Sequence, residues 1–400
     1  MAVSLRLCLM MWFALSLAAV ACRSGEGAGA QPTPIGAGGS VEPSGSGGES
    51  TGGGGGTNGG GGSGGSDGSG GMPFFDALPL PEVGPAFEVG PPVDAGALIE
   101  RVAFGSCNEL ARTQDFWTRI NERNPQVFLS LGDLPYIDYG DTFAALAAVP
   151  GFKQLLALAR TLMIWDDHDY GMNDGGAAYA GKLSSKKRFI DFWGGLGVIP
   201  PESPRRTREG NYDSLVLGPV GRQIQFIMLD NRYFKGVAPS GTVLGPEQWQ
   251  WLAEELRRPA TLRIIMSGIA AVGSSSSSDA WAQYPGEQQH LYDVIKDSGA
   301  KGVVIVSGDK HYAEISRRDV GLGYPLYDFT SSALNASNSY APQPNLYRDA
   351  PASTTQLHNF GYLTINWAAA DRPMVFETVN AITGAVIMSK TVSLTSLGSP

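Results

Sequence analysis

Four short polar clusters carry most of the chemistry this chain can offer. They are Ser106-Cys107-Asn108, Gly132-Asp133-Leu134-Pro135-Tyr136, Asp166-Asp167-His168-Asp169 and Gly308-Asp309-Lys310-His311. Carboxylates, imidazoles, a thiol and a phenol are the usual donors to metal ions. If these clusters converge, several anions share one spot, and such crowding needs multivalent cations to neutralise it. Two cations about 3.5–4 Å apart that share one carboxylate would do so, and would also clamp a phosphoryl group. Taken singly each cluster is weak evidence: a Gly-Asp is often a turn, and an Asp-x-His is often a hydrogen-bonded pair.

Each cluster follows an apolar run that reads as a buried strand: Val102–Phe104, Val127–Leu131, Leu162–Trp165 and Val303–Val306. Four such strand ends describe a site at the carboxyl edge of a sheet. Further strands are expected at Asp213–Leu217, Gln223–Leu229, Arg263–Ser267, Pro325–Thr330, Phe360–Trp367, Met374–Val379 and Ala385–Ser393. Helical spacing predicts helices over Phe143–Arg160, Ser184–Phe192, Pro246–Arg257 and Gln288–Lys296. Strands and helices alternate early and strands dominate late, which predicts an α/β fold with mixed sheets covered by helices. Long loops at Tyr170–Leu183, Gly194–Asn211 and Gly273–Ser278 are expected to wall a site.

The N-terminal part has a different character. Residues 1–21 combine Arg6, an apolar stretch and small residues before Cys22, and read as a signal peptide, with Cys22 placed for lipidation. Residues 22–71 hold 23 of the chain's 54 glycines and no aromatic residue, so they are expected to form a disordered linker. Residues 72–100 are an extended lead-in, and 101–400 the folded domain. The predicted localisation is therefore exported, as a membrane-anchored lipoprotein facing the periplasm or the cell exterior. A net charge of −9 argues against a nucleic-acid-binding surface. Of three cysteines only Cys107 lies in the predicted domain, which excludes an internal disulfide there.

The motif order resembles the metallophosphoesterases, and specifically the alkaline phosphatase D (PhoD-like) family. The resemblance rests on Phe104-Gly105-Ser106-Cys107-Asn108, Leu131-Gly132-Asp133 with Tyr136, Trp165 to Gly171 with Asn173-Asp174, Leu229-Asp230-Asn231-Arg232-Tyr233-Phe234, Gly245 with Gln248-Trp249, Ser267-Gly268, and Ser307-Gly308-Asp309 with His311. It implies a four-layer α/β/β/α sandwich, preceded here by the disordered tether, with a dinuclear or larger metal site. The implied ligands are Cys107, Asp133 as the bridging carboxylate, Tyr136, Asp167, Asp309 and His311. A thiolate with a phenolate favours Fe(III), and an oxygen-rich neighbour suits Ca(II) or another divalent ion. His168 is the implied general acid, and Arg232 a phosphate clamp or, equally, the partner of Asp230 or another acid. Asp166, Asn173 and Lys310 are secondary candidates; His290 reads as surface and His358 as a weak candidate.

The implied reaction is hydrolysis of phosphate monoesters or diesters by metal-activated hydroxide. The substrate would be a small phosphate ester or a phospholipid head group. Alternatives are a phospholipase D-like phosphodiesterase and a catalytically silent surface-binding lipoprotein on the same fold. Family members carry a β-sandwich domain before the catalytic part. Only Met72 to Glu100 stands in its place, so that contribution is expected to be absent or replaced.

Overall fold

Alternating side chains explain why the strands sit where they do. Along the first strands, β1 (Arg101–Gly105), β2 (Val127–Leu131) and β3 (Arg160–Ile164), Val102, Phe104, Leu129, Leu131, Leu162 and Ile164 face one apolar core. Ala103, Phe128 and Met163 face another. That two-residue period buries both faces of a sheet between two layers. The computed structural model describes residues 94–136, 142–337 and 342–399. All of these belong to the compact unit Gly71–Pro400. The signal peptide, Cys22, the glycine-rich linker and most of the lead-in lie outside the described residues.

The remaining strands are β4 (Asp213–Leu217), β5 (Ile224–Met228), β6 (Leu262–Ser267), β7 (Val303–Ser307), β8 (Ala313–Arg318), β9 (Leu326–Ser331), β10 (Thr354–Thr355), β11 (Asn359–Ile365), β12 (Pro373–Asn380) and β13 (Val386–Ser393). They form a six-stranded sheet, β13-β12-β11-β1-β2-β3, and a seven-stranded sheet, β10-β8-β9-β7-β6-β5-β4. In the first, β1, β2 and β3 run parallel. In the second, β5, β6, β7 and β9 do so. The outer partners β4, β8 and β11–β13 are antiparallel, so both sheets are mixed. The sheets face each other: Phe329 of β9 stacks on Phe376 of β12 with ring centroids 3.7 Å apart.

Helices cover the outer faces. Helix α1 (Phe116–Glu122), α2 (Phe143–Ala148), α3 (Pro150–Leu158) and α5 (Lys182–Gly195) pack Trp117, Phe152, Phe189 and Trp193 on the first sheet; the single turn α4 (Asp167–Tyr170) lies between α3 and α5 in the chain. Helices α6 (Gly245–Glu255) and α7 (Pro285–Ser298) put Leu252, Leu291 and Ile295 on the second. The result is the α/β/β/α sandwich. No helix among the described residues is long and apolar enough to cross a membrane.

Two expectations need correction. The single helix over Phe143–Arg160 is two, broken at Val149, whose extended backbone (φ −66°, ψ 118°) precedes Pro150. Its last expected residue, Arg160, instead starts β3, opposite Val127. Strand β8 was not anticipated, because Glu314, Arg317 and Arg318 interrupt any apolar run; Glu314 is held by Arg348 at 2.6 Å.

Candidate metal centre

The clusters lie beyond the carboxyl ends of β1, β2, β3 and β7, and the facing sheets bring them together. Close approach demands glycine at Gly132 (φ +98°), where a Cβ would lie 2.4 Å from Cβ of Asp166. The next residue does not have that freedom. Asp133 (φ 53°), like Cys107 (φ 63°), Asp309 (φ 70°) and His311 (φ 57°), is a non-glycine residue in the left-handed region. Such residues are held there by their surroundings, commonly at functional sites. Here the Asn108 N–H donates to the Asp133 carbonyl at 2.8 Å, and the His311 N–H donates to Ser332 Oγ at 2.9 Å.

Three donor groups result. Cys107, Asp133 and His311 form one; Asp133, Asp167 and His168 a second; Asp166, Asp167 and Asp309 a third; within each group the donor atoms lie within 4.8 Å of one another. Asp133 belongs to the first two and Asp167 to the last two. The Tyr136 hydroxyl is 3.4 Å from His311 Nε2, and its ring stacks on His168 with centroids 4.1 Å apart. In an extended segment Asp309 and His311, two positions apart, would project from the same side. Their left-handed backbone turns the chain instead, and the two residues serve different donor groups.

A cavity of about 340 Å³ opens over these groups, lined by Asp133, Asp167, His168, Asp309 and His311, with Asn173 and Lys310. A cavity of about 530 Å³ beside His358 and Arg112 contains none of these donors. The exposed His290 packs edge-on against Trp249, its ring centroid 4.5 Å away.

Electrostatics tests whether cations fit. Burial, with neighbouring carboxylates, raises Asp133 and Asp309 well above the usual carboxylate range. Burial pushes Asp169 up to about 8 and Asp166 to about 6, the latter against the pull of Arg232. Burial also pushes the Cys107 thiol up to about 12 and raises the Tyr136 phenol. Asp166 Oδ2 is buried without a hydrogen-bond partner. A mixed sulfur, nitrogen and oxygen donor set that resists ionisation when bare, with an orphaned carboxylate oxygen, fits bound cations.

A pH dependence follows. Carboxyls raised in the folded state bind protons more tightly there than in the unfolded chain, where Asp titrates near 4. Their favourable contribution is complete below about pH 4 and is lost as pH rises through the folded values. The carboxyls held low, Asp167 and Asp279, act below that window. Metal-free protein is therefore expected to show a Tm that falls between pH 5 and 8, with added cations raising Tm most at the upper end. Scanning calorimetry after chelation measures it; a flat profile would count against the buried-acid account.

Arg232 is fully buried and does not line the cavity. Its Nε donates to Asp166 Oδ1 at 2.5 Å and its Nη1 to Asp279 Oδ2 at 2.5 Å, while Nη2 lies 3.8 Å from Asp309 Oδ1. The ion-pair alternative thus describes its placement better than the phosphate clamp. Asp230 contributes by accepting the Arg232 backbone N–H at 2.9 Å. Lys310 donates to Ser278 Oγ at 2.7 Å and to the Asp279 carbonyl at 2.5 Å, so it ties the loop ending at Ser278 to the site.

Three contributors escaped the sequence reading. Asp169 accepts the backbone N–H of Asp166 at 2.9 Å and also that of Asp133, tying two clusters together. Ser332 Oγ sits 3.1 Å from Cys107 Sγ. Asp279 joins Arg232 and Lys235, and these cations outweigh its burial and keep its carboxyl below the usual range. Asp169 stood within a flagged cluster. Ser332 and Asp279 follow no motif and meet the site only through the fold.

Two facing mixed sheets with a shared-carboxylate donor site at their edge define a metal-site α/β/β/α sandwich. The sequence profile of the PhoD-like phosphatases matches residues 204–371. Alkaline phosphatase D of Bacillus subtilis (strain 168) is 24% identical over 207 residues, covering 44% of this chain and 35% of that protein. The chain thus spans about a third of the length of that relative. The solved structure titled "Structure of PhoD" superposes with a TM-score of 0.58 at 16% identity, over 75% of this chain and 69% of that one. A structure titled GAP50, the anchor in the inner membrane complex of Plasmodium, matches with a TM-score of 0.50 at 13% identity, over 74% of this chain and 88% of that one. The profile match and the curated relative support the PhoD-like resemblance that the motif order implied, and the solved structure shares the fold.

Proposed function

We propose that the protein is an exported metal-dependent phosphoesterase acting on phosphate monoesters, diesters or both. The observation that carries this reading is the position of Asp133 in two donor groups beneath an open cavity. The match to the PhoD-like phosphatase profile supports the same class. Cys107, Asp133 and His311, with the Tyr136 hydroxyl beside His311, suit a hard, acidic ion such as Fe(III). Asp166, Asp167 and Asp309 offer oxygen alone, which suits Ca(II). Bound cations there would supply positive charge to the phosphoryl oxygens and an activated water.

The chain's own residues do the rest. His168 lines the cavity, its ring held against Tyr136 and its backbone N–H donating to Asp133 Oδ1 at 3.2 Å; we assign it the proton delivered to the leaving oxygen. Lys310 adds an anchored positive charge to the wall. Asn173, exposed on the rim, is positioned to contact the ester. Arg232 holds Asp166 and Asp279 in place and acts through them.

Export and lipid anchoring rest on residues 1–21 and Cys22, and a phospholipid head group would be a substrate within reach of such an anchor. The fold shared with an anchor protein favours one other reading, a silent binding lipoprotein. The complete donor set weighs against it. The test is hydrolysis of p-nitrophenyl phosphate and bis-p-nitrophenyl phosphate by metal-reconstituted protein. Turnover of at least one is expected, lost on chelation and restored by metal. Two bound cations with turnover of neither would defeat the enzyme reading.

A further inference from the structure

A third cavity, of about 470 Å³, shares a wall with the metal-site cavity: both are lined by Asp174 and Asp279. Its volume lies within the range of small-molecule sites, about 300–1,000 Å³. The shared wall is a fixed bridge. Lys235 Nζ donates to the Asp174 carbonyl at 3.1 Å and to Asp279 Oδ2 at 2.5 Å. The Asp174 N–H donates to Asp167 Oδ2 at 2.8 Å, so the bridge stands one hydrogen bond from a donor of the metal site.

The rest of this cavity has a different character. Gly175, Gly176 and Ala177 line it without polar side chains, and the buried Tyr284 closes one side with its hydroxyl donating to the Gly236 carbonyl at 2.9 Å. Met172 and Val237 stand at 51% and 84% exposure in its lining. Arg232 and Lys235 already neutralise Asp279, and the exposed Asp174 carboxylate stands at the rim, so the wall offers no spare positive charge to an anionic group. An uncharged apolar group is the occupant this chemistry selects.

We propose that this cavity receives the uncharged apolar alcohol arm of a phosphate ester whose phosphoryl group lies over Asp133 and Asp309. The proposal rests on the phosphoesterase reading and adds the substrate class: esters of alkyl or aryl alcohols, over phosphorylated sugars or nucleotides.

The test uses the metal-loaded full chain with 4-nitrophenyl alkyl phosphodiesters from methyl to pentyl, which keep one leaving group. A parallel series of alkylphosphonates, from methyl to pentyl, is measured by calorimetry. Full burial of each methylene is worth about fourfold, so kcat/KM or phosphonate affinity is expected to rise by as much as roughly 200-fold across a series. Either series rising supports the proposal; a rise with phosphonates alone puts the leaving alcohol in the cavity. Val237→Asp and Ala178→Trp, at two exposed positions in the lining of this cavity, should flatten whichever series rises. An active enzyme with no chain-length dependence in either series overturns the proposal and leaves the phosphoesterase reading standing. Turnover of no ester removes both.

Discussion

Asp133→Asn is expected to lower kcat by about 10³-fold or more and to weaken cation binding both beside Cys107 and beside Asp167. Asp133 is the only residue common to the Cys107–His311 group and the Asp167–His168 group. Asparagine preserves its shape and tolerates the left-handed backbone at φ 53°, so the fold should survive. It also removes a buried carboxyl whose ionisation is opposed by burial and by Asp167, so metal-free Tm at pH 8 should hold or rise. Steady-state kinetics and elemental analysis on the same preparation separate these effects. Retention of two cations and of near wild-type turnover would remove Asp133 from its bridging role. Cys107→Ser provides the contrast, because that thiol belongs to one donor group alone.

Arg232→Leu is expected to be the most damaging single change to stability, at about 3–5 kcal/mol, the usual cost of leaving buried charges without their partner. Arg232 is fully buried between Asp166 and Asp279, themselves 0% and 5% exposed. Arg232→Lys keeps the charge but not the planar fork that reaches both acids, and should recover only part of the loss. Urea unfolding of metal-free protein reads the effect directly. Were Arg232 instead a substrate clamp, the leucine variant would unfold normally and show a raised KM. That outcome would return it to the role the motif resemblance first offered.

Much of this architecture was legible because the strands are short, apolar and ended by glycine or aspartate. Val127–Leu131 and Asp213–Leu217 begin and end where the patterning places them. What stayed hidden has a physical cause in each case. Pro150 breaks a helix whose apolar spacing continues across it. Strand β8 earns its place by ion pairing and by its register with β9, neither of which leaves an apolar signature. In the site, donors just after strand ends could be identified one by one, but not which of them share a group. Asp309 and His311 are separated by one residue, yet a left-handed turn at each sends them to different groups. Ser332 and Asp279 depend on contacts between segments far apart in the chain, Cys107 with Ser332 and Arg232 with Asp279. Local pattern holds no record of such contacts.

The left-handed backbone at Cys107, Asp133, Asp309 and His311 also bears on how cations enter. Each of these residues occupies a conformation that a free chain rarely visits, and two packed sheets keep it there. The donors are therefore oriented before any cation arrives, and capture requires little further ordering of the chain. Cation uptake at this edge should resemble filling a rigid chelator more than folding a loop around an ion. Its entropy of binding should be dominated by released water and protons.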